Sequence, residues 1–284
     1  MQVRERIARI EEEMTAAERK LGSALLLDYP FAGLDTIQAL AERTQTSSPT
    51  ISRFVTKLGF KGYQDFQRHL IEELKESKRS PLDLHHGDRP LMGGFLEDYA
   101  ARAGHMIAEV ASMVSEAQFD RVTGMLADPK RNIFVIGGRI SDSLALYMSR
   151  HMRQMRPGVS HLPADPETWP EYLLRMKPRD VLLIIDFRRY QPNLCELARR
   201  ASKGPNAQVF LLTDKWMSPV SKYAREIMAT PIDSGTVWDS YSGALVLIEA
   251  MVTRIAEDNW DRTRSRIKAW ETMRPGNEEK QDDQ

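Results

Sequence analysis

Apolar positions along the first 77 residues recur at intervals of three and four, the helical period. Val3, Ile7, Ile10 and Met14 make the first such stripe. Thr15 to Glu18 (TAAE) has capping-box spacing: the threonine side chain accepts from the Glu18 backbone and Glu18 reaches back. This predicts a helix through Leu21, Leu25 and Leu26 that stops before Pro30. Asp35 is the expected cap of the next helix, through Ile37 and Leu40. A polar turn after Thr44 precedes an amphipathic helix over 48–58. Gly59 is expected just past its end, where a left-handed residue commonly terminates a helix. A last helix is predicted from Tyr63 to Lys75.

Residues 78–93 (KRSPLDLHHGDRPLMG) lose this periodicity and mix proline, glycine and charge, so they read as a linker. From Gly94 the rhythm changes. Helical patterns over 95–114 and from Ser115 (a second capping box, with Gln118) to Ala127 precede short, wholly apolar runs alternating with further helices. The runs are Ile133–Ile136, a short one near Val159, Val181–Ile185, Val209–Leu212 and Ile227–Ala229. Helices are predicted over 141–156, 193–203, 219–223 and 238–258. Short runs apolar on both faces, spaced by helices, predict βαβ units and a parallel sheet covered on both sides. The expected fold is an all-α helix-turn-helix bundle over 1–77, a linker over 78–93, a doubly wound parallel α/β domain over 94–270, and a disordered polar tail over 271–284.

Composition narrows the class of protein. The chain has 284 residues, 42% hydrophobic and 28% charged, with 40 basic against 40 acidic side chains. This is an ordinary globular balance. No apolar run approaches the roughly 18 residues of a membrane span, and charges throughout the first 30 residues oppose a secretory signal. A cytoplasmic location is expected. The single cysteine, Cys195, excludes an intrachain disulfide and a multi-thiolate metal site. His85 and His86 lack a third ligand at a useful spacing, so no metal and no cofactor is expected. Zero net charge leaves DNA binding open, because the charge that matters there is local.

That local charge falls between Arg43 and Gln64, with four basic residues and no acidic one. Ile51, Phe54, Val55 and Leu58 form an apolar stripe, and the opposite face carries Thr50, Arg53, Thr56 and Lys57 behind Ser47 and Ser48. Hydroxyls and free N–H groups at a helix start can hold phosphate oxygens, and arginine can fork onto guanine or phosphate. Two short helices joined by a tight polar turn make a helix-turn-helix. Helical spacing alone fits equally a bundle with a solvated basic face. The candidate DNA contacts are Ser47, Ser48, Thr50, Ile51, Arg53 and Lys57.

The string from Thr46 to Tyr63 (TSSPTISRFVTKLGFKGY) resembles the recognition-helix signature of the RpiR/MurR family. The matches are Ser47, Thr50, Ile51, Arg53, Phe54, Lys57, Leu58, Gly59, Phe60, Gly62 and Tyr63. The resemblance implies a transcription regulator with a SIS (sugar isomerase) domain after the helix-turn-helix, and 1–77 with about 120–260 fit that layout.

In open parallel sheets, ligands sit beyond the carboxyl ends of strands. Three such ends carry candidate effector contacts: Gly137, Gly138, Arg139 and Ser141 after the first run, Arg188 and Arg189 after the second, and Thr213 after the third. The two arginines either clamp an anion or pair with Asp186 or Asp180. The resemblance implies a Gly-x-Gly-x-Ser loop and a Ser-x-Ser-Gly-x-Thr loop holding a sugar phosphate. Gly137 and Ser141 keep the first loop, but Arg139 replaces its second glycine, and Asp186 to Gln191 (DFRRYQ) replaces the hydroxyls of the second. The expected effector is therefore a small anion, a sugar phosphate or a carboxylate. The stretch Asp233 to Ser240 reads as a helix-capping loop. Trp238, Trp260 and Trp270 read as core or interface residues, and Met148, Met152 and Met155 as packing.

The expected function is a non-enzymatic, DNA-binding regulator acting as a homodimer or tetramer on double-stranded DNA, with no membrane partner. Two alternatives stand beside it. One is a sugar-phosphate isomerase, which needs a positioned base where Asp186 is the only nearby carboxylate. The other is a regulator whose second domain only dimerises.

Overall fold

The computed structural model describes residues 2–77, 80–84 and 94–274. Most of the 78–93 linker, His85, His86 and the tail from residue 275 lie outside the described residues. The chain divides into two compact units, 1–79 and 80–284.

The first unit is all helical: α1 (Val3–Arg9), α2 (Ala16–Leu27), α3 (Ile37–Thr44), α4 (Ser48–Lys57) and α5 (Tyr63–Ser77). The Thr15 capping box forms in both directions, with Glu18 N–H donating to Oγ1 at 3.3 Å and Thr15 N–H to Glu18 Oε2 at 2.8 Å. Thr36, not Asp35, caps α3, accepting from Ala39 N–H at 3.1 Å. The Asp35 carbonyl accepts instead from Tyr63 and Gln67. The α4 terminus is a Schellman turn: Gly59 lies at φ +88°, its N–H donates to Thr56 O, and Phe60 N–H donates to Val55 O. The inner faces of all five helices share one core, with Leu21, Leu40, Ile51, Phe54, Phe66 and Leu70 fully buried.

The second unit begins with a single turn, α6 (Pro81–Leu84), then α7 (Phe95–Met113) and α8 (Glu116–Ala127). There follow β1 (Ile133–Gly137), α9 (Asp142–Met155), β2 (Val159–His161), α10 (Trp169–Leu173), β3 (Val181–Ile185), α11 (Pro192–Lys203), β4 (Gln208–Thr213), β5 (Ala224–Ala229), α12 (Ser242–Asp258) and α13 (Trp260–Thr272). The five strands form one sheet in the order β2-β1-β3-β4-β5, every pair parallel.

Side chains alternate across a strand, and here both faces are dry. Ile133, Val135, Leu183, Ile185, Phe210 and Leu212 pack with α7, α8, α9 and α12. Phe134, Ile136, Leu182, Ile184, Val209 and Leu211 pack with α10 and α11. The apolar runs are thus a consequence of two-sided burial. Met148, Met152 and Met155 are core residues.

Several expectations need correction. Ser115 caps α8 through Gln118 N–H, but the Gln118 side chain donates to Ile227 O at 2.8 Å, so the reciprocal half of that box is not made. The long helix predicted from Trp238 starts at Ser242, and 219–223 is a 3-10 turn. α13 runs to Thr272, past the predicted tail boundary. Trp238 is 64% exposed, and Trp260 and Trp270 are about half exposed, so none is a core residue of the chain. Among the described residues no helix is long and apolar enough to cross a membrane.

Candidate functional site

The turn between α3 and α4 is shaped by Gln45, which takes the left-handed conformation at φ 51°. The Thr44 hydroxyl folds back onto Leu40 O at 2.7 Å. Ser47 caps α4, accepting from Thr50 N–H at 3.3 Å, and its hydroxyl lies 2.9 Å from that of Thr50. With Ile51, Phe54 and Val55 buried, Thr50, Ser52, Arg53 and Thr56 are left on the outer face. Arg53 is exposed and, among the described residues, reaches only the Thr50 hydroxyl, at 3.5 Å.

Two of the predicted contacts are differently employed. Ile51 is 0% exposed, so it is a core anchor that sets the rotation of α4 and cannot touch a groove. Lys57 turns back to the body of the unit, donating to Glu13 O at 2.7 Å and pairing with Glu18 at 3.2 Å. At the same end, Arg6 donates to Leu58 O at 3.0 Å and lies over the Phe60 ring at 4.4 Å.

In the second unit, sheet order places β1 and β3 side by side at the topological switch point, where the connections from the two strands leave in opposite directions and open a crevice. A cleft of about 350 Å³ lies there, lined by Gly138, Arg139, Ser141, Arg188, Arg189 and Tyr241 among others. Five of the seven predicted effector contacts therefore share one cleft. Gly137 and Thr213 do not line it. Gly137 is buried and donates to Asp142 Oδ1; a Cβ there would stand 2.4 Å from Asp142 N, so only glycine permits the turn into α9. The Thr213 hydroxyl donates to Asp186 O at 2.7 Å and accepts from Ser218 N–H, bracing β3 against β4.

The polar groups at the cleft are largely committed. Ser141 accepts from Gly138 N–H at 2.9 Å and gives its own proton to Ile185 O at 2.7 Å. The Arg188 backbone N–H donates to Asp214 Oδ2 at 2.6 Å. Its Nε contacts both oxygens of Asp239 at 2.7 and 2.8 Å, and Nη2 also bonds Asp239. Nη1 is buried without a hydrogen-bond partner among the described residues. The guanidinium lies 4.9 Å from the Trp216 ring centre. Burial pulls the Arg188 pKa down, but Asp239, Asp233 and Asp214 more than offset this, leaving it raised. Arg139 and Arg189 are exposed, Arg189 with φ +65°.

Two carboxyl groups lie beneath. Asp214 accepts from Tyr190 OH, Trp216 N–H and Arg188 N–H, yet complete burial raises its pKa to about 6. Asp186 has only the Ser218 hydroxyl and a long 3.5 Å contact from Gln191 N–H. Burial, with the Asp214 charge nearby, pushes it to about 7. The Asp186–Arg pairing weighed from sequence is not formed; the partner of Arg188 is Asp239, 51 residues on. Its signal in the sequence was weak, one acid in a hydroxyl-rich loop that reads equally well as a helix cap.

An outward polar face on the second helix of a helix-turn-helix, and a switch-point cleft in a separate parallel α/β unit, define a two-domain regulator of the helix-turn-helix plus SIS class. Residues 1–77 match the helix-turn-helix domain of the rpiR family, and residues 125–254 match the SIS domain. The chain thus carries an rpiR-family helix-turn-helix domain followed by a SIS domain, the layout of an RpiR-type regulator. It is 23% identical over 261 residues to the HTH-type transcriptional regulator HexR of Escherichia coli K12, covering 90% of this chain and 84% of that one. Among solved structures it resembles the sugar isomerase domain of an RpiR transcription factor from Sphaerobacter thermophilus. The TM-score there is 0.58 at 13% identity, over 63% of this chain and 99% of that one. It also resembles the Vibrio vulnificus NanR protein complexed with ManNAc-6P, with TM-score 0.53 at 19% identity over 95% and 97% of the two chains.

Proposed function

We propose that this regulator binds double-stranded DNA through the outer face of α4 and that a small anionic effector in the β1/β3 cleft controls the binding. The observation that carries the reading is the division of α4: Ile51, Phe54 and Val55 are sealed in the core while Thr50, Ser52, Arg53 and Thr56 face outward with no acid among them. Arg53 is the candidate base reader, and Ser47, Ser48 and Thr50 at the helix start are candidate phosphate contacts. Acting as a homodimer or tetramer, the protein would present pairs of α4 helices to half-sites about one helical turn, or a multiple, apart.

For the effector, the exposed guanidiniums of Arg139 and Arg189 and the start of α9 favour an anion. The complex of NanR with ManNAc-6P supports a phosphorylated sugar derivative as the first class to try. On this reading residues 1–77 are the DNA reader, 78–93 the connection and 94–270 the sensor; the division of the chain near residue 79 supports it.

The test is footprinting on DNA upstream of the protein's own gene, with and without a panel of phosphorylated sugars and carboxylates. A protected palindrome whose occupancy shifts with one ligand is expected. Equal affinity for random DNA removes the DNA reading. The committed Ser141 proton and the two acids at the cleft favour one competitor, a second domain that only pairs subunits. A thermal-shift screen with the same panel separates them, since a ligand that prefers the folded state raises its apparent stability.

A further inference from the structure

Arg188, which lines the cleft, already holds an anion supplied by the chain itself. Arg188 presents Nε and Nη2 as a fork, and both are filled by Asp239, which bonds through both oxygens. This is the geometry by which a guanidinium grips phosphate or carboxylate. The Arg188 side chain is 1% exposed and so shielded from water, while that of Asp239 is 19% exposed. The remaining amino group, Nη1, is buried with no partner among the described residues. Both oxygens of Asp239 are spent on the other edge of the guanidinium.

Asp239 and Arg188 are anchored very differently. The Arg188 backbone is fixed by Asp214 and its guanidinium is backed by Trp216. Asp239 rides on the irregular segment 233–241 between β5 and α12. That segment is held mostly by local bonds: Gly235 N–H to Asp233 Oδ1, the Ser234 hydroxyl to Trp238 O, and Ser240 N–H to Ile232 O. Arg102 donates to Ser234 O at 3.3 Å, Tyr241 stacks on Phe187 at 4.9 Å, and Asp239 grips Arg188. Trp238, next to Asp239, stands largely in solvent.

We propose that Asp239 is a built-in competitor for the effector: an incoming phosphate displaces its carboxylate from Arg188 and frees the segment 233–241 that leads into α12. This rests on the reading of the cleft as an anion site and adds how that site is regulated. Exchange of partners leaves the arginine in place, so the movement falls on the segment. The segment joins α12, whose inner face packs in the core shared with α7, α8 and α9.

The test uses the full chain with inorganic phosphate as probe, against chloride at matched ionic strength, followed by thermal unfolding. Asp239→Asn removes the competing charge. The apparent phosphate affinity should then rise about tenfold or more, because a receptor occupied by its own ligand binds an outside one in proportion to the open fraction. Asp239→Asn should melt lower than wild type without phosphate and be restored by it. Adding Arg188→Gln should abolish the response. In wild type, phosphate should decrease hydrogen-exchange protection over 236–241, a readout that stands even if the variants fold poorly. If wild type and Asp239→Asn respond to phosphate alike, or protection over 236–241 is unchanged when phosphate binds, the competition is wrong while the anion site stands. If neither protein responds to phosphate, the anion-site reading fails and the competition with it.

Discussion

Replacing Phe54 and Arg53, neighbours in sequence, should have opposite effects. Phe54 is 0% exposed and shares its core with Leu40, Ile51, Leu58 and Phe66. Phe54→Ala leaves a cavity that five helices cannot close, at a cost of about 3–5 kcal/mol. For a unit of 79 residues, at roughly 4–8 °C per kcal/mol, the helical unit should melt at least ~12 °C lower. Arg53 is exposed with one weak internal contact, so Arg53→Ala should change stability by less than about 0.5 kcal/mol. Its loss from two recognition helices should nonetheless weaken specific DNA binding by about 2–6 kcal/mol, at least ~30-fold. Spectroscopy can separate the two units, because all five tryptophans lie at or beyond Trp169. Tryptophan fluorescence follows only the α/β unit, whereas far-ultraviolet circular dichroism follows both. Phe54→Ala should shift a dichroism transition and leave the fluorescence transition in place. If Arg53→Ala melts the helical unit, or Phe54→Ala leaves its stability untouched, the facing of α4 deduced above is wrong.

Asp186 titrates near 7 in the folded protein against an ordinary value of 3.8, so the folded state holds its proton more tightly, and stability falls as pH rises from about 4 to 7. Asp186→Asn removes its share of that slope, leaving the share of Asp214, and should gain stability over wild type toward pH 7, measured by denaturant unfolding at stepped pH. Gly137→Ala drives a methyl into the backbone of Asp142 and should both destabilise the α/β unit and abolish any effector-induced thermal shift. Gly138→Ala meets the Ser141 hydroxyl at 3.2 Å and Asp186 Oδ1 at 3.4 Å, side-chain atoms rather than backbone, and should be milder in the same assay. Asp180 is buried and accepts from Asn132 N–H at 2.8 Å and Lys177 N–H at 2.9 Å. Asp180→Ala orphans both donors and should cost about 2–4 kcal/mol, read from the tryptophan transition.

The fold was legible because its signals are local and redundant. Capping at Thr15, the glycine stop at Gly59 and the doubly apolar runs of β1, β3 and β4 each name an element without knowledge of the rest. The site was legible only as far as strand ends go. Gly138, Arg139, Ser141, Arg188 and Arg189 meet at the cleft because parallel strands bring their carboxyl ends together. What those side chains do once there depends on partners far along the chain. The proton of Ser141 goes to Ile185, and the charge of Arg188 to Asp239. The inward turn of Lys57 toward Glu18 is of the same kind, since a lysine on an amphipathic helix shows its face but not its reach. Ile51 could have been excluded from the DNA contacts by the stripe to which it already belonged.

Helix α4 is held at both ends, by Ser47 at its start and by Arg6 and Lys57 at its finish. Such a reading head has no hinge of its own. On the proposed DNA-binding reading it would meet the duplex as a rigid die, and any misfit between two half-sites would be absorbed by the DNA. Operator strength should therefore depend on base steps that the protein never touches, with flexible pyrimidine–purine steps between the half-sites favoured over stiff adenine tracts.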